Sequence, residues 1–508
     1  MPADVDRRRK TLSPDAWRRA LAGTAPVAAV LLAAFVFCLC DPQMFLDGDT
    51  NWHLAAGRWI LAHAAAPHAD PFSYTAFGKP WIDLEWLSEA LMALAYALGG
   101  WATVMVLMGA AVAATLGVVG VELRRRLGGA ASVGVLLVCL PMIARHVLAR
   151  PHILALPLLA AWLAALLAAR RRGTAPSLWL TLLMTLWANL HGSDLIGLAL
   201  VVPFGLEAVL DAGAGRRRST ALRWGGFGLA AMAAALVTPY GPAGLAHAAA
   251  VTRMASLSAI VEWKPASFAE FSPLEFALLA GAFACLVQGV RLRWTRAAIL
   301  LFTVHLSLQH LRHELILAVI APMLLAEPLG DAAALKPVAV PDRRKPEAIV
   351  CGAALAAGLV LAALRIVTPE TARDSAADPV TALANVPPDI AAQPVFNDYS
   401  FGGLLILDGV RPFMDGRNDL YGDAAMQSYV DAEQAKSPEA VARLLGRYGV
   451  TWTLLAPSSP LAALLDRTPG WVRVYGDGWA VTQVRADALA ASERARLTGA
   501  ATGRPASR

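Results

Sequence analysis

Charged residues are scarce in this sequence, and their scarcity excludes an ordinary soluble protein. Asp, Glu, Lys and Arg make up only 16% of the 508 residues, while 57% are hydrophobic. Soluble domains average roughly 25% charged and about 45–50% apolar residues. Mean hydropathy is +0.51, and apolar runs of about 17–25 residues, long enough to cross a bilayer as helices, recur along the chain. The composition predicts a mainly α-helical, polytopic membrane protein.

The sequence also lacks the cysteine and histidine patterns of a metal-thiolate centre or a disulfide framework. All five cysteines fall inside apolar runs and show no ligand spacing: Cys38, Cys40, Cys139, Cys285 and Cys351. The ten histidines contain no HxxxH or HxH pair. These absences argue against a zinc-thiolate site and against stapling by disulfides.

The net charge of +6 does not indicate a nucleic-acid partner, because the basic residues are confined to short bursts between apolar runs. The bursts are Arg7–Lys10, Arg124–Arg126, Arg170–Arg172, Arg216–Arg218, Arg291–Arg296 and Arg343–Lys345. Cytoplasmic loops of membrane proteins carry such an excess of Lys and Arg. The bursts therefore predict topology, with residues 1–21 as a cytoplasmic N-terminus.

Placing every burst in the cytoplasm predicts about eleven spans. They are residues 22–41, 101–123, 128–144, 153–169, 177–191, 195–211, 221–238, 272–290, 295–309, 314–328 and 347–366. No small-residue cleavage site follows the first span, so we interpret it as uncleaved. Residues 42–100 then form the first outer loop of a transmembrane domain that covers 22–366. Within this loop, the amphipathic segment 84–99 is expected to lie at the membrane interface.

The composition becomes water-soluble after about residue 367, which predicts a small outer α/β domain over 367–487 and a disordered tail over 488–508. "PVFNDY", "RPFMDGR" and "VTWTLLA" have the pattern of short strands, and "WVRVYGDGWAVTQVR" has that of a hairpin. "SPEAVARLLGRYG" is typical of an amphipathic helix with a serine cap and a glycine stop.

Polar chemistry collects in the predicted outer connections. The first loop holds Asp47, Asp49, His53, His63, His68, Lys79, Asp83 and Glu85, and later connections hold "RHVLARPH", "NLHGSD", "TPYGP", "VEWKP" and "QHLRHE". Ionisable groups near a bilayer are costly and persist mainly where they line a functional cavity. A site that faces the outer side is therefore the favoured interpretation.

Each candidate also has a purely structural interpretation. Asp49 either caps the helix that begins near Thr50 or acts chemically, and its four-residue spacing from His53 places both on one helical face. Asp47 is a turn residue beside Gly48 or a second acid. The tryptophans of the first loop are expected to be interfacial anchors. Arg145, Arg150 and Arg312 either snorkel to the surface or bind an anion such as a lipid phosphate.

The architecture resembles the GT-C superfamily of polytopic glycosyltransferases, which includes the aminoarabinose transferase and the protein O-mannosyltransferases. The resemblance lies in the first loop: the acidic pair Asp47/Asp49, the helix "WHLAAGRWILAHA" and the stretch "TAFGKPWIDLEWLSEAL". The chain departs from that pattern in having Lys79-Pro80-Trp81 and Asp-Gly-Asp. "DGDTNWHLAAGR", "WANLHG" and "FMDGRNDLYG" look more like a group of bacterial membrane proteins that bear "D-x-D-x-W-W-H-L".

The resemblance implies a bacterial inner-membrane enzyme that moves a sugar from a polyprenyl-phosphate donor to an envelope glycan, lipid or protein on the periplasmic side. Asp49 would be the base, with Asp47 and His53 in support. The leaving phosphate needs cationic partners, and the candidates are Lys79, Arg145, Arg150, His191, Arg312 and His313. Some members use a divalent metal and others do not, so the resemblance assigns no metal; Asp47 and Asp49 are the residues that could hold one. Asp415 and Arg417 either approach this site or form a buried structural pair.

Two other functions are consistent with the same sequence. A flippase or transporter of lipid-linked glycans predicts polar residues at mid-membrane and discontinuous helices, whereas here the polar residues collect at the predicted outer boundary. A polysaccharide-assembly scaffold predicts that function resides in the segment 368–508 alone.

Overall fold

The computed structural model describes residues 23–251, 253–254, 261–335, 345–368 and 374–489. The predicted N-terminal segment 1–21 and almost all of the predicted tail 488–508 lie outside these residues. The described chain consists of a helical region, residues 25–367, and a C-terminal region, residues 374–489, which contains a small sheet.

The helical region contains helices α1 to α12. Their bounds are α1 Ala25–Cys40, α2 Asp49–His63, α3 Trp86–Ala144, α4 Pro151–Arg172, α5 Thr181–Leu190, α6 Asp194–Asp211, α7 Arg217–Ala235, α8 Pro242–Val251, α9 Pro273–Gln288, α10 Trp294–Gln309, α11 Glu314–Ala332 and α12 Lys345–Val367. By length and composition, 4 helices of the described chain can cross a membrane, and shorter apolar helices accompany them. The number of about eleven spans stays a prediction.

The long helix α3 is interrupted at glycines. Gly99 and Gly100 leave the helical conformation, and Gly128 does so again, with φ of 64° at Gly100 and 72° at Gly128. Such positive φ angles cost glycine little because it has no Cβ. The interruptions divide α3 at the boundaries between the predicted elements 84–99, 101–123 and 128–144. The sequence does not predict the short helix α8.

Ion pairs join the helix ends that carry the arginine bursts. Glu207 accepts hydrogen bonds from Arg296 and Arg170, and Arg171 donates to Glu122 at 2.9 Å. Arg126 reaches Glu327 at 2.6 Å. α4 carries Arg170 and Arg171 in its last turn, so these pairs lie at the end of α4 opposite to its first residue, Pro151.

The C-terminal region has a four-stranded sheet in the order β1-β2-β4-β3. Its strands are β1 Val395–Asn397, β2 Trp452–Leu455, β3 Trp471–Gly476 and β4 Val481–Arg485, and its helices are α13 Val380–Ala384, α14 Pro388–Ala391, α15 Gly402–Leu407, α16 Asn418–Tyr421, α17 Asp423–Glu433, α18 Pro438–Arg447 and α19 Pro460–Leu465. β1 and β2 are parallel, and the other pairs are antiparallel. The predicted hairpin is confirmed as β3–β4, and the predicted amphipathic helix as α18 with its Ser437 cap.

The prediction of a strand at "RPFMDGR" is wrong. The segment is irregular, because the side chain of Asn397 takes the hydrogen bonds that a neighbouring strand would otherwise supply. Asn397 Oδ1 accepts the Phe413 N–H at 2.8 Å, and Asn397 Nδ2 donates to the Met414 carbonyl at 2.8 Å. The residues after Met414 are thereby free to turn away from the sheet and toward the helical region.

One hydrophobic core is shared by the two regions. Trp52 and Trp81 from the first loop pack with Phe396, Phe413 and Tyr429 from the C-terminal region. Trp81 is 4% exposed and Trp52 7%, so these two tryptophans are core residues. The first loop therefore packs against the C-terminal region through this shared core.

Candidate active site

A cavity of about 1530 Å³ lies where the first loop, the helical region and the C-terminal region meet. Its polar part is walled by the first loop, the start of α4, the residues around Arg312 and the turn before α16. Its apolar part continues between helices, where the lining includes Leu156, Leu159, Leu200, Phe302, Ile316 and Ile320. The cavity thus joins a charged chamber to an apolar groove.

Arg150 organises the polar chamber. It stands directly before Pro151, the first residue of α4, so the start of this helix fixes its position. Its Nε contacts Asp47 and its Nη2 contacts Asp49, and these two acids are called the acidic pair. Its Nη1 donates to both oxygens of Glu262 at 2.9 Å. Three carboxylates therefore share one guanidinium, whose planar fork suits such recognition.

The crowding of these carboxylates sets their protonation. Burial raises the pKa of Asp47, with further repulsion from Glu262, against the pull of Arg150. Burial acts in the same direction on Glu262, but Arg150 and Arg312 together hold its pKa well below the usual range. Of these two acids, Glu262 is therefore the stronger and Asp47 is the one that takes up a proton more readily.

Arg312 and Arg145 have less complete partners than Arg150. The Arg312 guanidinium lies over the Trp263 ring, 4.6 Å from its centroid, and its Nη1 is 3.5 Å from Glu262. Arg145 is 4.0 Å from Glu314, and 40% of its side chain is exposed. Both arginines line the cavity, so they retain donor capacity for an anionic ligand.

A histidine–glutamate cluster begins at His53, about one helical turn after Asp49 in α2. His53 Nδ1 and Glu89 Oε1 are 2.8 Å apart, and His191 Nε2 is 3.0 Å from Glu85. Burial lowers the pKa of His53 to about 4. Burial opposes ionisation of Glu85 as well, but the neighbouring His191 and His53 bring its pKa to about 2. His53 is therefore neutral near pH 7 and Glu85 is ionised.

The cluster also has the donors of a metal site. One ligand atom each from His53, Glu85 and Glu89 lies within 4.8 Å of the others. Glu89 is fully buried, and its carboxyl shares a side-chain hydrogen bond with that of Asp83. Imidazole and carboxylate donors suit Zn²⁺ and similar divalent ions. The acidic pair, in contrast, is already held by Arg150, which a metal there would have to displace.

The C-terminal region contacts the acidic pair through glycines. A Cβ at Gly416 would overlap Asp49 Oδ1 and lie 2.9 Å from the Trp52 indole nitrogen. A Cβ at Gly403 would overlap the Gly48 carbonyl oxygen. Glycine is the residue that permits such close backbone approach. The turn at Gly416 and the first residues of α15 therefore form part of the wall around the acidic pair.

Arg417, next to Gly416, is held by two buried carboxylates. Its Nη1 donates to Asp70 of the first loop at 2.7 Å, and its Nε and Nη2 donate to Asp415 at 2.8 and 2.7 Å. Tyr421 donates to the same Asp415 at 2.6 Å, and the guanidinium lies over the Trp81 ring. Burial would raise the pKa of Asp415, but Arg417 holds it below its usual range. This triad fastens the C-terminal region to the first loop.

The structure gathers most of the candidate residues into the cavity lining. Those that line it are Asp47, Asp49, His53, Arg145, Arg150, His191, Arg312, His313 and Arg417. Lys79 is exposed, and neither it nor Asp415, which lies buried against Arg417, is among the described lining residues. Sequence reasoning gave no role to Glu262, Glu89, Asp70, Tyr399 or Asn418. Three of them lie in stretches that carried the site prediction or the family resemblance: Glu262 in "VEWKP", Glu89 in "TAFGKPWIDLEWLSEAL" and Asn418 in "FMDGRNDLYG".

Comparisons with known proteins identify the fold. No family model and no curated protein sequence matches the chain. The archaeal oligosaccharyltransferase AglB from Archaeoglobus fulgidus, solved with an inhibitory peptide and a dolichol-phosphate, matches with a TM-score of 0.54 at 12% identity, covering 85% of this chain and 69% of that one. The apo form of the Archaeoglobus fulgidus enzyme gives 0.50 at 11% identity, covering 84% and 69%.

A third solved structure, ArnT from Cupriavidus metallidurans, covers 90% of this chain and 96% of its own at 15% identity, with a TM-score of 0.44. The two oligosaccharyltransferase structures, which match over more than four fifths of this chain, carry the assignment. The chain is therefore similar in fold to these two oligosaccharyltransferase structures.

Proposed function

We propose that the protein is a membrane glycosyltransferase that moves a sugar from a polyprenyl-phosphate donor to an envelope acceptor. One observation carries this proposal: a single cavity unites an apolar groove, a set of cationic side chains and an acidic pair. An apolar chain, a phosphate and a reacting hydroxyl each need one of these three environments. The GT-C fold is consistent with this chemistry but does not establish it.

The donor is proposed to bind with its lipid chain in the apolar groove and its phosphate at Arg312 and Arg145. Arg150 has all its edges engaged by carboxylates, so its proposed role is to organise the acidic pair. Arg312 and Arg145 would stabilise the charge that develops on the phosphate as it leaves. His313 and His191 line the same chamber and would supply further hydrogen bonds.

Asp49 is proposed as the general base. The acceptor oxygen forms a bond to the anomeric carbon while the bond from that carbon to the phosphate oxygen breaks. The acceptor proton passes to the Asp49 carboxylate, and the bonding electrons leave with the phosphate. Arg150 and the wall at Gly416 hold this carboxylate in position, and Asp47 and His53 support it. A metal held by the histidine–glutamate cluster would add positive charge beside this chamber.

The proposed location is a bacterial inner membrane, with the C-terminal region and the acidic pair on the periplasmic side. The arginine bursts support this orientation through the positive-inside tendency. None of the paired arginines at the opposite helix ends belongs to the described cavity lining. A transporter needs a path from the cavity to both sides of the membrane. Since the described cavity lining does not reach the arginines at the opposite helix ends, we favour an enzyme that works at the outer face.

Replacing Arg312 with glutamine is expected to weaken donor binding. Loss of one charge-assisted hydrogen bond, worth about 1.5–3 kcal/mol, corresponds to roughly a tenfold to hundredfold change in affinity. The probe is undecaprenyl monophosphate, titrated against the full chain in lipid nanodiscs by isothermal calorimetry. Arg443→Gln, on the exposed face of α18, is the matched control. Equal affinity in Arg312→Gln and wild type would contradict the phosphate site.

Replacing Gly416 with alanine is expected to move the Asp49 carboxylate, because the new Cβ would overlap Asp49 Oδ1. A displacement of about 1 Å at a reacting group can cost on the order of 10²-fold in rate. Sugar transfer is therefore expected to fall while undecaprenyl monophosphate still binds. Gly446→Ala serves as the control, since a Cβ there meets open space. Full activity in Gly416→Ala would show that the close approach is not required.

A further inference from the structure

The two walls of the polar chamber differ in their charged side chains. The helical region supplies three arginines, of which Arg150 is engaged by the acidic pair and Glu262, while Arg145 and Arg312 have less complete partners. The C-terminal region supplies the carboxylates of Asp398, Asp419 and Glu433. Among the described lining residues of the C-terminal region, the basic side chain is that of Arg417, whose donors are taken by Asp70 and Asp415. Arg145 and Arg312 thus lie on the donor side of the chamber, and the opposite wall is rich in hydrogen-bond acceptors.

One acceptor atom in the second wall is buried and unsatisfied. Asn418 is 6% exposed, and its Nδ2 donates to the Tyr399 hydroxyl at 2.7 Å. Its Oδ1 has no hydrogen-bond partner among the described residues. An orphaned buried acceptor costs about 1–3 kcal/mol, so it is expected to receive a hydrogen bond from a bound molecule. Asn418 lines the cavity, where such a molecule would lie.

This acceptor wall is next to the acidic pair. Asn418 follows Gly416, which packs on Asp49, by two positions in the sequence. His247 of α8 lies 3.0 Å from Asp419, so the wall is joined to the helical region on its other side. A molecule that donates hydrogen bonds to Asn418 would therefore place its reactive group within reach of Asp49.

We propose that Asn418, Tyr399, Asp419, Asp398 and Glu433 form an acceptor subsite that selects a hydroxyl-rich saccharide without negative charge. The subsite rests on the proposed transferase function and specifies its second substrate. Sugar hydroxyls donate to amide and carboxylate oxygens, which is what this wall offers. A phosphorylated or uronic acceptor would face three carboxylates without a free cation among the described residues of this wall, and like charges at close range repel.

The test uses three trisaccharides of similar size and different charge: neutral triacetylchitotriose, cationic chitotriose and anionic trigalacturonate. Binding to the full chain in lipid nanodiscs is measured by saturation-transfer NMR. Binding of the neutral probe with at least tenfold weaker binding of the anionic probe is the expected result. Tighter binding of chitotriose would keep the selection against anions and identify an amine-bearing acceptor. Equal or tighter binding of trigalacturonate, or no binding of any probe, would overturn the proposal.

Two variants locate the binding. Asn418→Ala is expected to weaken triacetylchitotriose binding about fivefold, as one hydrogen bond is lost, whereas Asn385→Ala, on an exposed position of the same region, is expected to bind normally. Glu433→Gln removes charge from a half-exposed side chain and is expected to strengthen trigalacturonate binding. Unchanged affinities in both variants would overturn the assignment.

Asp49→Asn separates the subsite from the proposed reaction. This variant is expected to keep the binding of the neutral trisaccharide, because the acceptor wall is intact. If the wild-type chain binds the neutral trisaccharide but transfers no sugar from any donor, the subsite stands and the transferase function is rejected. If the wild-type chain transfers sugar but binds the three trisaccharides equally, the transferase function stands and the subsite is rejected.

Discussion

Replacing Asp49 with asparagine is expected to reduce sugar transfer by about 10²–10⁴-fold, the contribution that a positioned general base typically makes. The amide has the size of the carboxylate but cannot take a proton from the acceptor. It still offers an oxygen to Arg150, so the chamber is expected to keep its shape. The measurement is the release of labelled sugar from a panel of polyprenyl-phosphate sugars by the full chain in lipid nanodiscs, with envelope material as acceptor.

The control for this change is Asp389→Asn, an exposed acid in α14. It is expected to leave both transfer and the apparent melting temperature unchanged. Asp47→Asn is expected to cause a smaller loss than Asp49→Asn, because Asp47 supports the base and does not contact the wall at Gly416. Wild-type transfer by a folded Asp49→Asn protein would reject Asp49 as the base, and an equal loss in both variants would assign the acidic pair a joint role.

Replacing Arg417 with methionine is expected to have the largest effect on stability. Methionine fills similar space, but Asp70 and Asp415 are then left as buried carboxylates without their cation. Removing one partner of a buried ion pair typically costs about 3–5 kcal/mol. We expect a clearly lower apparent melting temperature of the full chain in detergent. We also expect earlier proteolytic release of the C-terminal region, because the triad joins that region to the first loop.

The combination Asp70→Asn, Asp415→Asn and Arg417→Met tests the electrostatic origin of this loss. Without the two carboxylates there is no uncompensated buried charge, so most of the lost stability is expected to return. Arg443→Met, exposed on α18, is expected to change little. Equal destabilisation in the single and triple variants would mean that packing of the Arg417 side chain, and not its charge, holds the two regions together.

Local patterns predicted the elements but not the contacts between them. The serine cap of α18 and the hairpin β3–β4 are set by neighbouring residues, and both are confirmed. "RPFMDGR" has strand-like alternation, yet Asn397, sixteen residues earlier, takes its backbone hydrogen bonds. Whether the Asn397 side chain reaches this backbone depends on the tertiary structure, which a short segment of sequence does not reveal.

The same limit applies to the site. The polar outer connections brought Asp49, Arg150 and Arg312 together as candidates because ionisable residues next to apolar runs are rare. Their pairing was not predictable, since Arg150 meets Glu262 across 112 residues of chain. Nothing in the sequence separates Arg150, which carboxylates surround, from Arg312, which has fewer partners among the described residues. That distinction comes from geometry alone.

The Arg417–Asp70 contact spans 347 residues of chain. Because of this separation, the site can be completed only late in synthesis. During synthesis the first loop emerges early, whereas the residues that wall the acidic pair are among the last to be translated. Until they arrive, Trp52 and Trp81 lack the partners that bury them, so the nascent chain carries an incomplete core that invites chaperone binding. A chain truncated before residue 374 is therefore expected to insert but to remain inactive, and biogenesis itself delays the onset of activity.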